Sequence, residues 1–237
     1  IRRQRQMCIR DRMYGVFDFA VKLSITYKIH KMYSERRITN KKSRYHRTSN
    51  LYHKFVRAFL KPFHVLFTNT LYKKIKDAAG VNFRASISGG GALSMKDQLF
   101  YDAIGVNLRE GYGLTETSPV LTLRNVGDPN FLGCCGKPLM ATEIKILDME
   151  TNQPLGIFKK GVVHARGFQV ADGYYKDEEA TKAVFSEDGW FNTGDIGWLT
   201  ADNNLVLVGR MKETIVLSNG ENVEPIPIEE ACLESPY

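Results

Sequence analysis

The stretch Glu-Gly-Tyr-Gly-Leu-Thr-Glu-Thr-Ser-Pro, which runs from Glu110 to Pro119, constrains the fold of this chain more than any other. The apolar residues from Ile104 to Leu108 precede it and suit a short buried strand. Gly111 and Gly113 then permit a tight turn, because glycine adopts backbone conformations that other residues avoid. The sequence therefore predicts a strand that ends in a glycine turn, as at the ligand-binding edge of an α/β sheet.

Three side chains of this stretch offer the chemistry of a nucleotide site. Tyr112 has a flat ring that could cover a purine base. The Thr115 hydroxyl can donate a hydrogen bond to a phosphate oxygen, and the Glu116 carboxylate is a hard ligand of the kind that Mg²⁺ takes beside substrate phosphates. The alternative is a glycine turn that leads into an ordinary loop, with Tyr112 as a packing residue. The stretch alone does not separate the two interpretations.

Three other stretches, taken in their order along the chain, decide between these interpretations. They are Ser-Gly-Gly-Gly-Ala-Leu-Ser at 88–94, Gly-Trp-Phe-Asn-Thr-Gly-Asp at 189–195 and Gly-Arg-Met-Lys-Glu at 209–213. Together with 110–119 they resemble the adenylate-forming, AMP-binding superfamily of acyl-activating enzymes. The similarity runs from about Ala85 to Glu230. It is closest to long-chain fatty acyl-CoA synthetases and to fatty acid–acyl carrier protein ligases.

The resemblance implies a role for each matching position. The glycine loop would contact adenine through its backbone, Thr115 and Glu116 would take part in catalysis, and Glu116 would bind Mg²⁺. Lys212 would be the hinge between a large and a small domain. The nucleotide-binding positions implied in this way are Gly89, Gly90, Gly91, Glu110, Gly111, Tyr112, Gly113, Thr115, Asp195 and Arg210.

Asp195 also has a chemical argument of its own. Two neighbouring ribose hydroxyls are donors, and one carboxylate can accept from both. Thr193 and Gly194 predict a tight loop around it. Without the matching motif, a turn aspartate after the packed pair Trp190-Phe191 would be the favoured interpretation. The motif favours the ribose contact.

The resemblance implies a two-step ligation that uses ATP, Mg²⁺ and a thiol. A fatty acid would become an acyl-adenylate, and CoA would then take the acyl group and release AMP. The alternatives are an acyl carrier protein as the acceptor, or a non-catalytic membrane-associated module whose nucleotide site is vestigial. Two parts of the family pattern have no match, namely a glycine-rich phosphate loop before residue 80 and a lysine late in the small domain. We therefore expect this chain to be a piece of a longer enzyme, with little or no ligase activity alone.

The expected fold class is α/β, divided into four parts. Residues 1–79 form a basic helical segment of the large domain, and residues 80–132 form an α/β nucleotide-binding portion. Residues 133–211 form a β-rich subdomain, because strand-like alternation and turns dominate there. Residues 212–237 contain the hinge and the start of a small α+β domain.

Charge is unevenly distributed along the chain. Residues 1–76 contain 20 Lys or Arg against 3 Asp or Glu, a formal charge of +17, whereas the remainder has 13 against 23, or −10. The four cysteines, at positions 8, 134, 135 and 232, have neither CxxC spacing nor zinc-ligand spacing, so they are expected to be reduced intracellular thiols. The expected location is cytoplasmic, either free or peripheral to a membrane.

The segment 51–76 is predicted to be helical with an interruption at Pro62. Phenylalanine recurs at every fourth position, at Phe55, Phe59, Phe63 and Phe67, among basic residues. Two interpretations stay open, the core face of an ordinary helix pair or an interfacial helix on an anionic bilayer. Nucleic acid is an unlikely partner, because no recognised binding motif accompanies the charge.

Overall fold

The protein is described by a computed structural model that covers residues 2–35, 47–80, 82–216, 222–223 and 225–233. The chain divides into two compact units. The first, here called the helical unit, contains Ile1–Ser86 and Met95–Leu108, and the second, the sheet unit, contains Ile87–Ser94 and Arg109–Tyr237. Helices and two four-stranded sheets confirm the predicted α/β class. The predicted four-part division remains a prediction.

The helical unit is built from two long helices and two short ones. They are α1 (Arg2–Ser34), α2 (Arg47–Phe67), α3 (Lys73–Ala79) and α4 (Met95–Ile104), with a π-helical segment, Thr68–Tyr72, joining α2 to α3. The buried centre consists of Ala20, Val21, Tyr72 and Ile104, with Phe67 and Phe100 packed against it. One apolar cluster therefore joins α1, the end of α2, the π-helical segment and α4.

The predicted interruption at Pro62 is wrong, since α2 continues through this residue to Phe67. Contacts to α1 on both sides of Pro62 hold the helix in place, through the His53–His30 pair before it and the His64–Ser24 pair after it. The irregularity comes later, at 68–72, where a π-helix shifts the backbone pairing by one residue.

The phenylalanine stripe of α2 lies mostly outside the core. Phe55 is 73% exposed, Phe59 64% and Phe63 44%, whereas Phe67 packs on the buried cluster. The core-face interpretation is therefore wrong for the first three and correct for the last. Among the described residues, no helix combines the length and the apolar character that crossing a membrane requires.

The strand predicted over 104–108 is displaced. Ile104 is the last residue of α4, buried in the helical core, and Gly105 at a φ of +79° ends that helix. Strand β2 follows at Leu108–Tyr112 and contains Gly111, which was expected in a turn. The first sheet has the order β1 (Ser86–Ser88), β2, β3 (Thr122–Leu123) and β4 (Lys137–Pro138).

The second sheet is an antiparallel meander of four strands. Its order is β5 (Thr142–Leu147), β6 (Gly161–Gly167), β7 (Phe191–Leu199) and β8 (Leu205–Arg210), and the short helix α5 (Glu178–Val184) precedes β7. Ile146, Val163 and Leu205 form the buried centre of its core, and the half-buried Tyr112 packs against them. The β-rich character predicted for this region is confirmed.

The end of the chain has a short hairpin and a helix. Strand β9 (Ile215–Val216) pairs antiparallel with β10 (Asn222–Val223), and α6 spans Pro225–Leu233. The sequence predicts the start of this helix at Pro227, two residues later than observed, and a turn at 218–220 that lies outside the described residues. Cys134, Cys135 and Cys232 are free thiols, as expected, and the first two are buried.

Candidate functional site

Asp195 lies inside strand β7 rather than in the tight loop that the sequence predicted. Gly194 does have a positive φ of +70°, but both residues remain within the strand. The carboxylate is buried, with 4% of the residue exposed. The Thr193 hydroxyl supports this carboxylate locally. Its oxygen accepts a hydrogen bond from the Asp195 N–H, and its O–H donates to the Val163 carbonyl oxygen. The sheet therefore fixes the position of this carboxylate.

Arg210 approaches Asp195 from the neighbouring strand. The two residues are directly paired across β7 and β8, and Arg210 Nε lies 3.0 Å from Asp195 Oδ1. The aspartate side chain is 6% exposed and the arginine side chain 58%. The pair therefore has a buried anion and a cation that faces solvent. Two residues predicted separately to contact the nucleotide are adjacent.

Tyr112 contacts the other oxygen of the same carboxylate. Its hydroxyl donates to Asp195 Oδ2 over 2.6 Å. Burial and the Asp195 charge raise the pKa of Tyr112 well above its usual range, so the phenol stays protonated as a donor. Burial also raises the pKa of Asp195, although Tyr112 and Arg210 both favour its charged form. Two predicted nucleotide residues, Tyr112 and Arg210, thus converge on the buried carboxylate of a third, Asp195.

The segment after Tyr112 is a closed loop organised around Thr117. The Leu114 N–H donates to the Thr117 hydroxyl oxygen, which lies 3.0 Å from the carbonyl oxygens of Leu114 and Pro119. At Gly113, an added Cβ would lie 1.6 Å from the Pro119 carbonyl oxygen, so no side chain fits. The loop needs this glycine for close backbone contact, not for a positive φ.

Glu116 lies on the outer side of this loop, in a 3₁₀ turn over Thr115–Thr117. Its Oε1 accepts a hydrogen bond of 2.7 Å from the Tyr174 hydroxyl, and its backbone carbonyl accepts from the Ala171 N–H. The hydrogen bond to Glu116 raises the pKa of Tyr174. Thr115 is exposed beside it. The predicted metal ligand is therefore accessible and held in one orientation.

The donor set at Glu116 suits Mg²⁺ only together with a phosphate ligand. Within the described ranges, no group of three or more His, Cys, Asp or Glu side chains could hold a metal ion. Mg²⁺ usually takes one or two carboxylates, several waters and substrate phosphates rather than a cage of protein ligands. One accessible carboxylate next to a hydroxyl, that of Thr115, fits this pattern.

The glycine loop at 89–91 follows β1. A Cβ on Gly89 would lie 3.4 Å from the Gly111 carbonyl oxygen, and Gly90 has a φ of +83°. A Cβ on Gly91 would meet nothing within 4 Å. The loop therefore passes close to β2 and leaves bare backbone beside it. Its contact with adenine stays a prediction.

The Glu110 side chain forms an ion pair with Arg124, and its predicted nucleotide contact stays a prediction. Its Oε2 lies 2.7 Å from Arg124 Nη2, and both side chains are buried. Arg124 Nη1 also lies 3.2 Å from the Phe131 carbonyl and the Asn130 side-chain oxygen. The Glu110 carboxylate therefore stabilises the sheet through a buried ion pair.

Lys212 is exposed in the turn that follows β8.

Sequence reasoning missed two partners of the site, Tyr174 and Arg124. Neither residue was assigned a role from the sequence. Tyr174 is 58 positions from Glu116 along the chain, and Arg124 is 14 from Glu110. No local pattern reports a contact of this kind. The nearest signal is that an isolated arginine in an apolar stretch needs a buried partner.

Comparisons with known proteins agree with these features. The sequence pattern of the family described as AMP-binding enzyme matches residues 26–175. The long-chain-fatty-acid–acyl-carrier-protein ligase AEE15 of Arabidopsis thaliana, a chloroplastic protein, is 48% identical over 195 residues, which cover 78% of this chain and 26% of that protein. The long-chain-fatty-acid–CoA ligase FadD15 of Mycobacterium bovis is 36% identical over 173 residues, which cover 73% of this chain and 27% of that protein.

A similar arrangement occurs among solved structures. The ATP-bound MatB from Rhodopseudomonas palustris superimposes with a TM-score of 0.60 at 30% identity, over 65% of this chain and 30% of that one. The chain spans about a quarter of the length of the two curated relatives described above.

Proposed function

The chain belongs to the family of AMP-binding enzymes, and on this premise we propose that the intact protein activates a long-chain fatty acid with ATP and transfers the acyl group to a thiol. The fatty acid carboxylate attacks the α-phosphate of ATP, which releases pyrophosphate and leaves an acyl-adenylate. The thiol sulfur then attacks the acyl carbon and AMP leaves. The proposal concerns the whole enzyme, of which this chain carries the nucleotide-site residues.

The observation that carries the proposal is the convergence of Tyr112 and Arg210 on the buried carboxylate of Asp195. Each carboxylate oxygen has more than one lone pair, so both can accept a ribose hydroxyl while keeping the contact already present. Tyr112 and Arg210 also fix the orientation of the carboxylate before the nucleotide binds. Preorganised acceptors of this kind lower the ordering cost of binding.

Thr115 and Glu116 act at the other end of the nucleotide. The Thr115 hydroxyl donates to a phosphate oxygen, and Glu116 holds Mg²⁺ with the phosphates. When bound, the metal neutralises charge that would otherwise keep the fatty acid carboxylate and the triphosphate apart. The backbone at 89–91 covers the adenine. The turn with Lys212 supplies the hinge for the second step.

Fatty-acid-dependent exchange of pyrophosphate into ATP tests the adenylation step in the intact protein. We expect exchange to increase from short to long acids and to fall at least tenfold in Glu116→Gln. Glu187→Gln, at an exposed position outside the site, is the matched control. An absence of exchange with every acid, from folded enzyme that still binds AMP, would refute the proposal.

A second candidate concerns the acceptor thiol. CoA is the first proposal, but the acyl-carrier-protein ligase is more similar to this chain than the CoA ligase is, with 48% against 36% identity. Acyl transfer by the intact enzyme to CoA and to a phosphopantetheinylated carrier protein, compared at equal thiol concentration, separates the two. Transfer to only one acceptor assigns the thiol.

We also propose that the exposed face of α2 contacts an anionic bilayer. Phe55, Phe59 and Phe63 are exposed, Lys54 and Lys61 lie among them, and α2 contains no acidic residue. Apolar rings with flanking lysines match an interface that is apolar inside and anionic outside. We expect the intact protein to sediment with vesicles that contain anionic lipid, and Phe55→Ser with Phe59→Ser to weaken this. An absence of binding to anionic vesicles would refute this proposal.

A further inference from the structure

Tyr174 has a role that the motif-based assignment does not include. Its hydroxyl donates to Glu116 Oε1, which lies 58 positions earlier in the chain, over 2.7 Å. Glu116 is also held through its backbone carbonyl, which accepts from the Ala171 N–H over 2.8 Å. The segment 171–174 therefore contacts both the backbone and the side chain of the proposed metal ligand.

Helix α5 and the turn before it fix the position of Tyr174. The Tyr174 N–H donates to the Thr181 hydroxyl oxygen over 2.9 Å, and that hydroxyl donates to the Asp177 carbonyl. The ring meets Phe185 edge to face, with centroids 5.8 Å apart. Gly173, at a φ of +155°, allows the close approach, because a Cβ there would lie 2.5 Å from the Thr181 methyl group. The phenol is therefore held on the side of the 3₁₀ turn.

A donor at this position selects one orientation of the carboxylate. A glutamate side chain has several rotatable bonds, and freezing them on metal binding costs free energy. A phenol bound to Oε1 reduces this cost before the metal arrives. A tyrosine hydroxyl ordinarily has a pKa of about 10, so it is a neutral donor near pH 7.

We propose that Tyr174 is a positioning residue that orients Glu116 for the Mg²⁺–nucleotide complex. This inference rests on the proposed function, in which Glu116 is the metal ligand. It assigns the turn at 171–174 to the phosphate end of the site. It also predicts that removing the Tyr174 hydroxyl affects the Mg²⁺ dependence of nucleotide binding and not the binding of AMP without metal.

The test is calorimetric titration of the intact enzyme with a non-hydrolysable ATP analogue across a series of Mg²⁺ concentrations. For Tyr174→Phe we expect the Mg²⁺ concentration at half-maximal analogue affinity to rise about tenfold, equivalent to about 1.4 kcal/mol. AMP affinity without Mg²⁺ and the melting temperature should stay unchanged. Tyr175→Phe is the matched control, since Tyr175 is the adjacent tyrosine and is 89% exposed.

A double variant separates the inference from its premise. In a Glu116→Gln background, Tyr174→Phe should have no further effect, because the two residues act as one unit. If Glu116→Gln leaves the Mg²⁺ dependence unchanged, the metal role of Glu116 is refuted. If Glu116→Gln changes it and Tyr174→Phe does not, only the positioning role is refuted. Loss of AMP affinity or melting temperature in Tyr174→Phe would instead indicate a merely structural residue.

Discussion

The two compact units bury different kinds of polar group. In the helical unit, Ser24 and Tyr72 are fully buried and form a neutral network, in which Ser24 Oγ lies 2.9 Å from the Tyr72 hydroxyl and 3.0 Å from His64 Nδ1. In the sheet unit, the buried groups include charges, namely Asp195 and the pair Glu110–Arg124. All the charged residues buried in the described part of the chain belong to the sheet unit.

This difference separates groups that complete the fold from groups that are prepared for a ligand. A neutral network satisfies its own donors and acceptors, so its removal affects stability alone. A buried charge is costly unless it has a partner. Asp195 is buried, and its ion-pair partner Arg210 faces solvent. Among the buried charges, the Asp195 carboxylate is therefore the one best suited to contact a ligand. Each of the following predictions tests this distinction.

The largest expected effect is loss of the buried ion pair. Arg124→Met should lower the free energy of unfolding by about 3–5 kcal/mol, because the Glu110 carboxylate then stays buried without its cation. Arg166→Met is the control, since its pair with Glu143 is largely exposed and such pairs contribute about 0–1 kcal/mol. Urea unfolding of the intact protein measures both. Equal losses would mean that burial does not distinguish these pairs.

Asp195→Asn should weaken AMP binding about 10- to 100-fold, since hydrogen bonds to a charged group contribute about 1.5–3 kcal/mol. Stability should not fall. Burial raises the Asp195 pKa, so its contribution to stability is fully present below the ordinary value of 3.8 and is lost as the pH rises through the folded pKa. At pH 7 the amide should therefore be as stable as the carboxylate, or more stable.

Calorimetry with AMP and thermal unfolding at pH 5 and pH 7 measure these two effects. Asp202→Asn, at an exposed position in the β7–β8 turn, is the matched control. A variant that keeps full AMP affinity and loses stability would place Asp195 among the groups that only complete the fold.

Gly113→Ala should destabilise the protein by about 1–3 kcal/mol or distort the loop, since its Cβ would overlap the Pro119 carbonyl oxygen. Because Gly113 joins Tyr112 to Thr115, AMP affinity should fall as well. Gly91→Ala is the control for stability, because an added Cβ at Gly91 would meet no atom within 4 Å. Unchanged unfolding and binding in Gly113→Ala would show that the loop can relax.

Ser24→Ala should cost about 1–3 kcal/mol of stability, because the buried Tyr72 hydroxyl and His64 Nδ1 lose a partner. AMP affinity should stay the same. Thr26→Ala, which removes an exposed hydroxyl from the same helix, is the control. A change in AMP affinity for Ser24→Ala would contradict the purely structural role of the neutral network.

The smallest expected effect is a pH dependence from His64. Burial, with help from Lys28, lowers the His64 pKa from 6.5 to about 4. A lowered pKa means that stability is fully present above pH 6.5 and falls as the pH decreases toward 4. Urea unfolding at pH 7 and pH 5 should show a smaller acid loss in His64→Gln. An equal loss would assign the acid sensitivity to other groups.

Local sequence patterns predicted the fold best where they were regular. The alternation that predicted a β-rich region over residues 133–211 is present in β5. Pro62 was misleading, because contacts with α1 on both sides of it outweigh one missing backbone hydrogen bond. Ile104 was assigned to the start of a strand, but it is the last residue of α4 and is buried in the helical core.

The site was predictable as a set of residues and not as a set of contacts. Tyr112 and Asp195 were both proposed, yet their 2.6 Å hydrogen bond joins residues 83 positions apart. The pairing of Asp195 with Arg210 depends on the register of β7 and β8, which includes a shift between Ile196 and Gly197. The sequence did not predict the buried ion pair of Glu110, because its partner Arg124 lies 14 positions away and no local pattern reports the contact.

The close fit of Gly113 against Pro119 has a consequence for protein engineering. The loop is shaped by its own backbone, since a carbonyl oxygen fills the space where a side chain would begin. A library that varies Leu114 and Thr115 while keeping Gly113 fixed would change the side chains of the loop and keep its backbone conformation. Selecting from such a library for binding of other nucleotides would test side-chain recognition alone, because the backbone geometry is held constant.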